Sequence, residues 1–281
     1  MLERRFGGNQ SAMQTALTKY LYPWRDKILS HANLQEGEIL LDVGCGDGLI
    51  AFGALDKVNT SRVIFSDISQ DLLDHAQSIA REMNVLDRCQ FVNASADDLS
   101  MIEDASVDIV TTRSVLIYVS AKQRAFQEFY RVLKPGGRLS IFEPINRFTY
   151  PAPPHILGGY NVQPVAEIAQ KLKAYYERIQ PSDTDPMLDF DERDLISFAE
   201  QAGFNEVYLE LKIEIKPMPD KMTWEQFLHH AANPRVPTFE EAMHEALTPE
   251  ETNELSLVLR PLVEHGQGIR RGALAFLWAI Q

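Results

Sequence analysis

The chain has 281 residues, enough to bury a sizeable core in one large domain or in one domain with a cap. Its 45% hydrophobic and 24% charged content is ordinary for a globular protein, and a net charge of −13 argues against a nucleic-acid backbone as partner, since phosphate binding wants a basic surface. Two cysteines give no disulfide framework or CxxC metal pair, and neither a signal-peptide pattern nor a membrane-length apolar run occurs, so a reducing cytoplasm is expected.

Residues 1–12 read as loose and polar. Met13, Ala16, Leu17, Tyr20, Leu21, Trp24, Ile28 and Leu29 recur at helical spacing, with Pro23 expected to break or kink the helix. Tyr20, Tyr22 and Trp24 crowd together there, either capping the sheet or closing over an apolar ligand. Glu38 to Val43 is the first strand. It runs into Asp42-x-Gly44-x-Gly46-x-Gly48, with Cys45 inside the loop, and then into an apolar helix that ends near Lys57. Glycines let the backbone turn sharply and let a ligand lie on it, and the helix points its positive end at the same place. Gly46-x-Gly48-x-x-Ala51 also satisfies the alanine form of a dinucleotide loop, so the loop alone admits a nicotinamide cofactor. Arg62 to Ser66 is the second strand, closed by Asp67. An acid there accepts hydrogen bonds from ribose hydroxyls, or caps the helix that begins near Asp71. Leu72 to Met83 is amphipathic.

Cys89 to Asn93 is the third strand, followed by Ala94-Ser95-Ala96-Asp97-Asp98-Leu99. Val107 to Thr112 is the fourth, and Arg113, Ser114 and Tyr118 lie beyond its carboxyl end, where open α/β sheets form their ligand crevice. Tyr118 either lines that crevice or packs. A helix spans Lys122 to Leu133. Arg131-x-Leu133-Lys134-Pro135-Gly136-Gly137-x-Leu139 then stops it and opens the fifth strand. That strand ends at Glu143, which either orients a substrate or caps the next loop. Ile145 to Leu188 holds six prolines, Tyr160, the Tyr175-Tyr176 pair and a helical stretch near Val165–Ile179, which reads as a cap or lid. Phe190 to Phe204 is a capped helix ending in glycine, and Asn205 to Ile215 a sixth strand. Helices follow at Met222–Ala232, at Phe239–Ala246 and from Leu247 to about Val263. Arg271 to Ile280 is the seventh strand. His155, His229 and His230 are each able to serve as a general base. No His-x-x-x-His pair marks a metal site, and no Gly-x-Ser-x-Gly marks a hydrolase elbow.

The glycine string and the Arg131–Leu139 string together resemble class I S-adenosylmethionine (SAM)-dependent methyltransferases, and within them the small-molecule, ubiquinone/menaquinone-type members. The resemblance covers residues 36–145, with weaker echoes in 190–215 and 268–280. It implies an α/β fold: a Rossmann-like seven-stranded sheet with helices on both faces and a helical cap built from inserts. The chain then divides into an N-terminal helical lid (1–35), a SAM-binding core (36–145), a cap insert (146–189), a late core helix and strand (190–215), a helical cap insert (216–266) and a final core strand (267–281).

The implied activity is methyl transfer from SAM to a small-molecule acceptor by in-line displacement; from the residues themselves no metal and no nucleic-acid or membrane partner are expected, with a monomeric or homodimeric state. The implied cofactor contacts are Asp42 beside the amino-acid part, Gly44, Cys45, Gly46, Gly48, Asp67 on the ribose, Ile68, Arg113, and Ser95, Ala96 and Asp97 around adenine. In that last group Ser95 stands where the family places an acid. Tyr118, Glu143 and His155 are the candidate catalytic groups. Tyr20, Tyr22, Trp24, Ser114, Tyr118 and Tyr160 are candidate acceptor contacts. Two alternatives stand beside this reading: an NAD(P)-dependent oxidoreductase, and a catalytically silent SAM-binding module.

Overall fold

A computed structural model of the chain describes residues 17–59, 61–218, 222–233 and 235–281; the expectations for residues 1–12 and for Met13 and Ala16 lie outside them. Five strands lie parallel: β1 (Ile39–Val43), β2 (Arg62–Asp67), β3 (Cys89–Asn93), β4 (Val107–Arg113) and β5 (Leu133–Pro144). With β8 (Glu206–Pro217) and β9 (Ile269–Ile280) they form one seven-stranded sheet in the order β3-β2-β1-β4-β5-β9-β8, and β9 runs antiparallel to β5. The middle strands are apolar almost throughout because both faces of the sheet are covered. The order reverses between β1 and β4, which is where open α/β sheets hold their ligands. Asp42, Asp67, Asn93, Arg113 and Glu143 all stand at or near the carboxyl ends of these strands.

Helices α1 (Tyr22–Ala32), α2 (Leu49–Lys57), α3 (Gln70–Glu82) and α4 (Lys122–Val132) belong to this first unit, with α6 (Glu192–Ala202) between β5 and β8 in the chain. A core of Ile28, Leu29, Ile50, Ala54, Phe65, Phe142 and Phe276 joins α1 and α2 to the sheet, and Trp24 stacks on Phe142 at 4.8 Å. Helix α1 is further tied down where Ser140 Oγ donates to the Ile28 carbonyl at 2.9 Å. Pro23 does not kink a longer helix. A π-helical turn, Leu17–Leu21, precedes α1, and Pro23 sits in the first turn of α1, where its missing N–H costs nothing.

The Lys134–Gly137 segment differs from a simple turn as well. Leu133 pairs with Val107 and Arg138 with Ile109, so four residues bulge between two rungs of one ladder. Arg131 at the start of this string clamps the chain before β4. It donates to the carbonyls of Leu99 (2.9 Å) and Ile102 (3.0 Å) and pairs with Glu128 and Asp104.

The second unit comprises Ile145–Asp191 and Lys212–Ala273. It contains a short hairpin of β6 (Ile156–Leu157) and β7 (Tyr160–Asn161) and the helices α5 (Ala166–Ile179), α7 (Trp224–Leu228), α8 (Phe239–Ala246) and α9 (Pro249–Glu264). Its own core gathers Leu157, Tyr160, Leu172, Phe227, Phe239, Leu255 and Leu259. The helix expected over 222–232 is one short turn-and-a-half from Trp224, held by a Thr223–Gln226 capping box. The hairpin was not legible in the sequence, since two-residue strands carry no periodicity.

Candidate functional site

The glycine loop is held from both flanking strands. Its Cys45 N–H donates to the Ser66 carbonyl at 2.9 Å, and its Gly46 N–H donates to Asp67 Oδ2 at 2.9 Å. Gly44 has φ +64°, and a Cβ there would lie 2.4 Å from Val115 Cγ2, so this position excludes any side chain. Gly46 also has positive φ (+54°), but nothing lies within 4 Å of the place its Cβ would take, so its backbone faces open space. Gly48, also at positive φ, leads into α2. The Cys45 thiol is sealed in the core, and burial pushes its pKa up, so Cys45 offers a ligand its backbone rather than a thiolate.

Asp42 does not open onto this loop. It is 1% exposed, and its two oxygens accept from Thr111 Oγ1 (2.9 Å) and from the Ala51 N–H in the first turn of α2 (3.2 Å). The carboxylate ties β1 to β4 and to α2, a favourable place beside a helix N-terminus. Burial nevertheless pushes its pKa up to about 7. Thr111 lies directly opposite Asp42 in the ladder, a partnership that the linear sequence does not mark.

Asp67 is arranged differently. Oδ2 accepts from Gly46 and Oδ1 from the Ser69 N–H at 2.9 Å, so the carboxylate joins the loop to the end of β2. Ser69, not Asp67, caps α3: its side chain accepts from the Leu72 N–H. Next to Asp67, Ile68 is 74% exposed. Asn93, opposite Asp67 in the ladder, donates its amide to the carbonyls of Asp67 and Ile68 at 3.1 Å each and fixes that segment.

A cavity of about 270 Å³ opens here, lined by Ile68, Asn93, Ala94, Ser95, Asp98, Ser100 and Met101. The hydroxyl of Ser95 donates to the Asp97 carboxylate, which leaves the Ser95 oxygen lone pairs able to accept. Asp97 is anchored through its carbonyl by Arg124 at 2.9 Å, and Ala96 is buried. Asn93 and Met101 were missed by sequence reasoning. The signal for Asn93 was its place at the end of β3, level with Asp67.

The ends of β4 and β5 form a closed corner. Glu143 is fully buried. Its Oε1 accepts from the Val115 (2.8 Å) and Leu116 (3.0 Å) N–H groups, while Oε2 has no hydrogen-bond partner. Glu143 thus caps the segment after β4 instead of the loop that follows it in the chain, and burial pushes its pKa up to about 7. Its bonds hold the segment whose Val115 closes over Gly44. Arg113 lies near enough for its charge to draw down both Asp42 and Glu143. Ser114 holds a left-handed conformation (φ +58°) while its N–H donates to the Phe142 carbonyl at 2.8 Å. Such strain is held only where surrounding contacts over-determine it. Tyr118, after the short turn Leu116–Tyr118, is half exposed.

The proposed acceptor contacts are divided between the two units. Trp24 packs on Phe142, Tyr20 lies 6.0 Å from Trp24, and Tyr22 lies under the Arg25 guanidinium at 4.7 Å. Tyr160 is buried in the core of the second unit, edge-on to Phe227. His155 belongs to that unit too and is half-buried. Among the described residues, no group of three or more His, Cys, Asp or Glu is placed to hold a metal ion.

Several known proteins to which the chain is similar are methyltransferases. The ubiquinone/menaquinone biosynthesis C-methyltransferase UbiE of Enterobacter sp. (strain 638) is 31% identical over 121 residues, which are 43% of this chain and 48% of that protein. The chain thus matches about half the length of such curated relatives. Among solved structures, geranyl diphosphate C-methyltransferase from Streptomyces coelicolor, in complex with S-adenosylhomocysteine, shares the fold (TM-score 0.53, 15% identity, 94% of this chain and 80% of that one). So does Haemonchus contortus phosphoethanolamine N-methyltransferase 2 in complex with SAM (TM-score 0.52, 17% identity, 92% of this chain and 52% of that one). The profile of the ubiE/COQ5 methyltransferase family matches residues 17–215, more than half of the chain, and the chain belongs to that family.

Proposed function

We propose that the chain transfers a methyl group from SAM to a small-molecule acceptor. The observation that carries this reading is the Gly46–Asp67 hydrogen bond. It joins an open loop backbone to the carboxylate of Asp67, whose chain neighbour Ile68 lines a cavity. These residues fit SAM: the space at Gly46 admits the amino-acid part, and Asp67 retains lone pairs for ribose hydroxyls. The exposed face of Ile68 suits a purine, and Ser95 accepts from its amino group. SAM, when bound, supplies an electrophilic methyl on a sulfonium.

The protein's part is position and alignment, which require no covalent step. Asp42 and Glu143 act as supports: they hold α2 and the Val115–Leu116 segment around the loop. Tyr118 and Ser114, beyond the carboxyl end of β4, are left as the acceptor-side contacts of this unit. Family membership favours this reading over a nicotinamide enzyme, which accounts for the glycine loop alone. No helix among the described residues is long and apolar enough to cross a membrane, and a cytoplasmic enzyme acting on a small, partly apolar metabolite fits the acidic composition.

Calorimetric titration with SAM, S-adenosylhomocysteine and NAD in parallel tests the cofactor. Binding of the first two without NAD is expected, and binding of NAD alone overturns the reading. Transfer of a labelled methyl group to a panel of small acceptors then separates an enzyme from a silent SAM-binding module.

A further inference from the structure

The two sealed carboxyl groups of the first unit differ in one respect. Asp42 has a donor for each oxygen, Thr111 Oγ1 on one side and the Ala51 N–H on the other. Glu143 is served on one side only. Its Oε1 accepts from the Val115 and Leu116 N–H groups, while Oε2 is buried with no hydrogen-bond partner. An ionised carboxylate spreads its charge over both oxygens, so half of that charge would stand in a dry corner with nothing to solvate it. A proton on Oε2 removes that cost and leaves Oε1 able to keep both N–H groups. At Asp42 a proton relieves less, because both oxygens are already satisfied.

Burial pushes the Glu143 pKa up to about 7, so near neutral pH the group stands at its balance point. The charge that faces it is Arg113, at the end of the neighbouring strand β4, which favours the ionised form, as do the Val115, Leu116 and Ile117 N–H groups. Opposite it in β9 lies Ala275, which carries no charge. On Asp42, Arg113 and Asp67 oppose each other. Glu143 is also tied to the glycine loop, since Val115, whose N–H it holds, lies against Gly44. An apolar side chain thus joins the Glu143 segment to the loop, and across such a medium a charge is weakly screened.

SAM carries an ammonium, a sulfonium and a carboxylate, hence one net positive charge. S-adenosylhomocysteine has a thioether in place of the sulfonium and is net neutral. We propose that Glu143 holds a proton on Oε2 in the ligand-free protein, releases it to solvent when SAM binds, and takes it back when the sulfonium has become a thioether. This rests on the SAM reading above. Glu143, being fully buried, acts on the ligand through charge and not through contact. It favours the cationic cofactor and loosens the neutral product, so it is a specificity residue for the same reaction.

Calorimetry of both ligands at pH 7, in buffers of different ionisation enthalpy, counts the protons released. A group with a pKa of about 7 holds about half a proton at pH 7, so SAM should release up to about half a proton per chain and S-adenosylhomocysteine far less. A downward shift of about one unit on binding also makes SAM bind about fivefold more tightly at pH 8 than at pH 6. Glu143→Gln keeps an acceptor for Val115 and Leu116 but has no proton to give. Its release should vanish, and its SAM affinity should lose most of that pH dependence. SAM binding without proton release overturns the proposal, as does equal release with the product or undiminished release in Glu143→Gln. Failure to bind SAM at all overturns the cofactor reading itself, and this proposal with it. Circular dichroism checks that Glu143→Gln folds; if it does not, the difference between the two ligands on the wild type decides.

Discussion

Carboxyl groups stand at three strand ends of the first unit, and they divide it into a sealed side and an open side. On the sealed side Asp42 and Glu143 are almost completely buried and point at backbone N–H groups of α2 and of the Val115–Leu116 segment. On the open side Asp67 also takes two backbone N–H groups and is itself only 7% exposed, yet Ile68 beside it in the chain is 74% exposed and lines a cavity. An acid at a strand end is thus not in itself a ligand contact. What decides is whether the adjoining loop closes over it, as Val115 closes over Gly44, or leaves space, as at Gly46.

The two glycines give the sharpest way to break this contrast. Gly44→Ala forces a left-handed alanine against Val115, so both stability and SAM binding should fall. Strain of about 1–3 kcal/mol plus the clash makes this the largest expected effect, seen as a lowered urea midpoint. Gly46→Ala meets no atom, so its loss should be felt mainly in SAM affinity and little in stability beyond about 1 kcal/mol of backbone strain. Equal stability losses for the two would undo the distinction between closed and open loop.

Asp67→Ala removes the acceptor for Gly46 and Ser69 as well as the proposed ribose contact. SAM affinity should drop by about 1–3 kcal/mol in calorimetry, and a folded variant that binds SAM as before takes Asp67 out of the site.

The sealed carboxylates are read through pH. The usual carboxylate pKa lies near 4, and burial raises Asp42 and Glu143 to about 7. Between those values the folded protein keeps protons that the unfolded chain releases. Stability from these two groups is therefore greatest below pH ~4, falls as pH rises, and levels off above ~7. Asp42→Asn/Glu143→Gln should flatten that decline in urea denaturation at pH 5 and pH 8. An unchanged slope would show that other groups cause it.

Ser95→Ala is the mildest change. It removes one acceptor at the cavity wall and should weaken SAM by about 0.5–1.5 kcal/mol while leaving the fold alone.

Much of the first unit was legible because its signals are local. Apolar runs ending in an acid, a loop with glycine at alternate positions and the Arg131–Leu139 string each state a strand end, a tight turn or a helix stop within a few residues. They place Gly44, Gly46 and Asp67 beside one another once five parallel strands are laid in order. The second unit was less legible. Its hairpin is too short for periodicity, and α7 is far shorter than the apolar spacing over 222–232 implies.

The sequence by itself determined the strand–loop–helix that presents a backbone to a ligand and the family to which the chain belongs. Tertiary structure alone decided that Asp42 turns to Thr111, 69 residues away, that Glu143 turns to Val115, 28 residues away, and that Tyr160 is sealed in a core. The reason is physical. Hydrogen-bond partners and desolvation depend on which distant segments crowd a side chain, and that crowding exists only after the strands have been assembled.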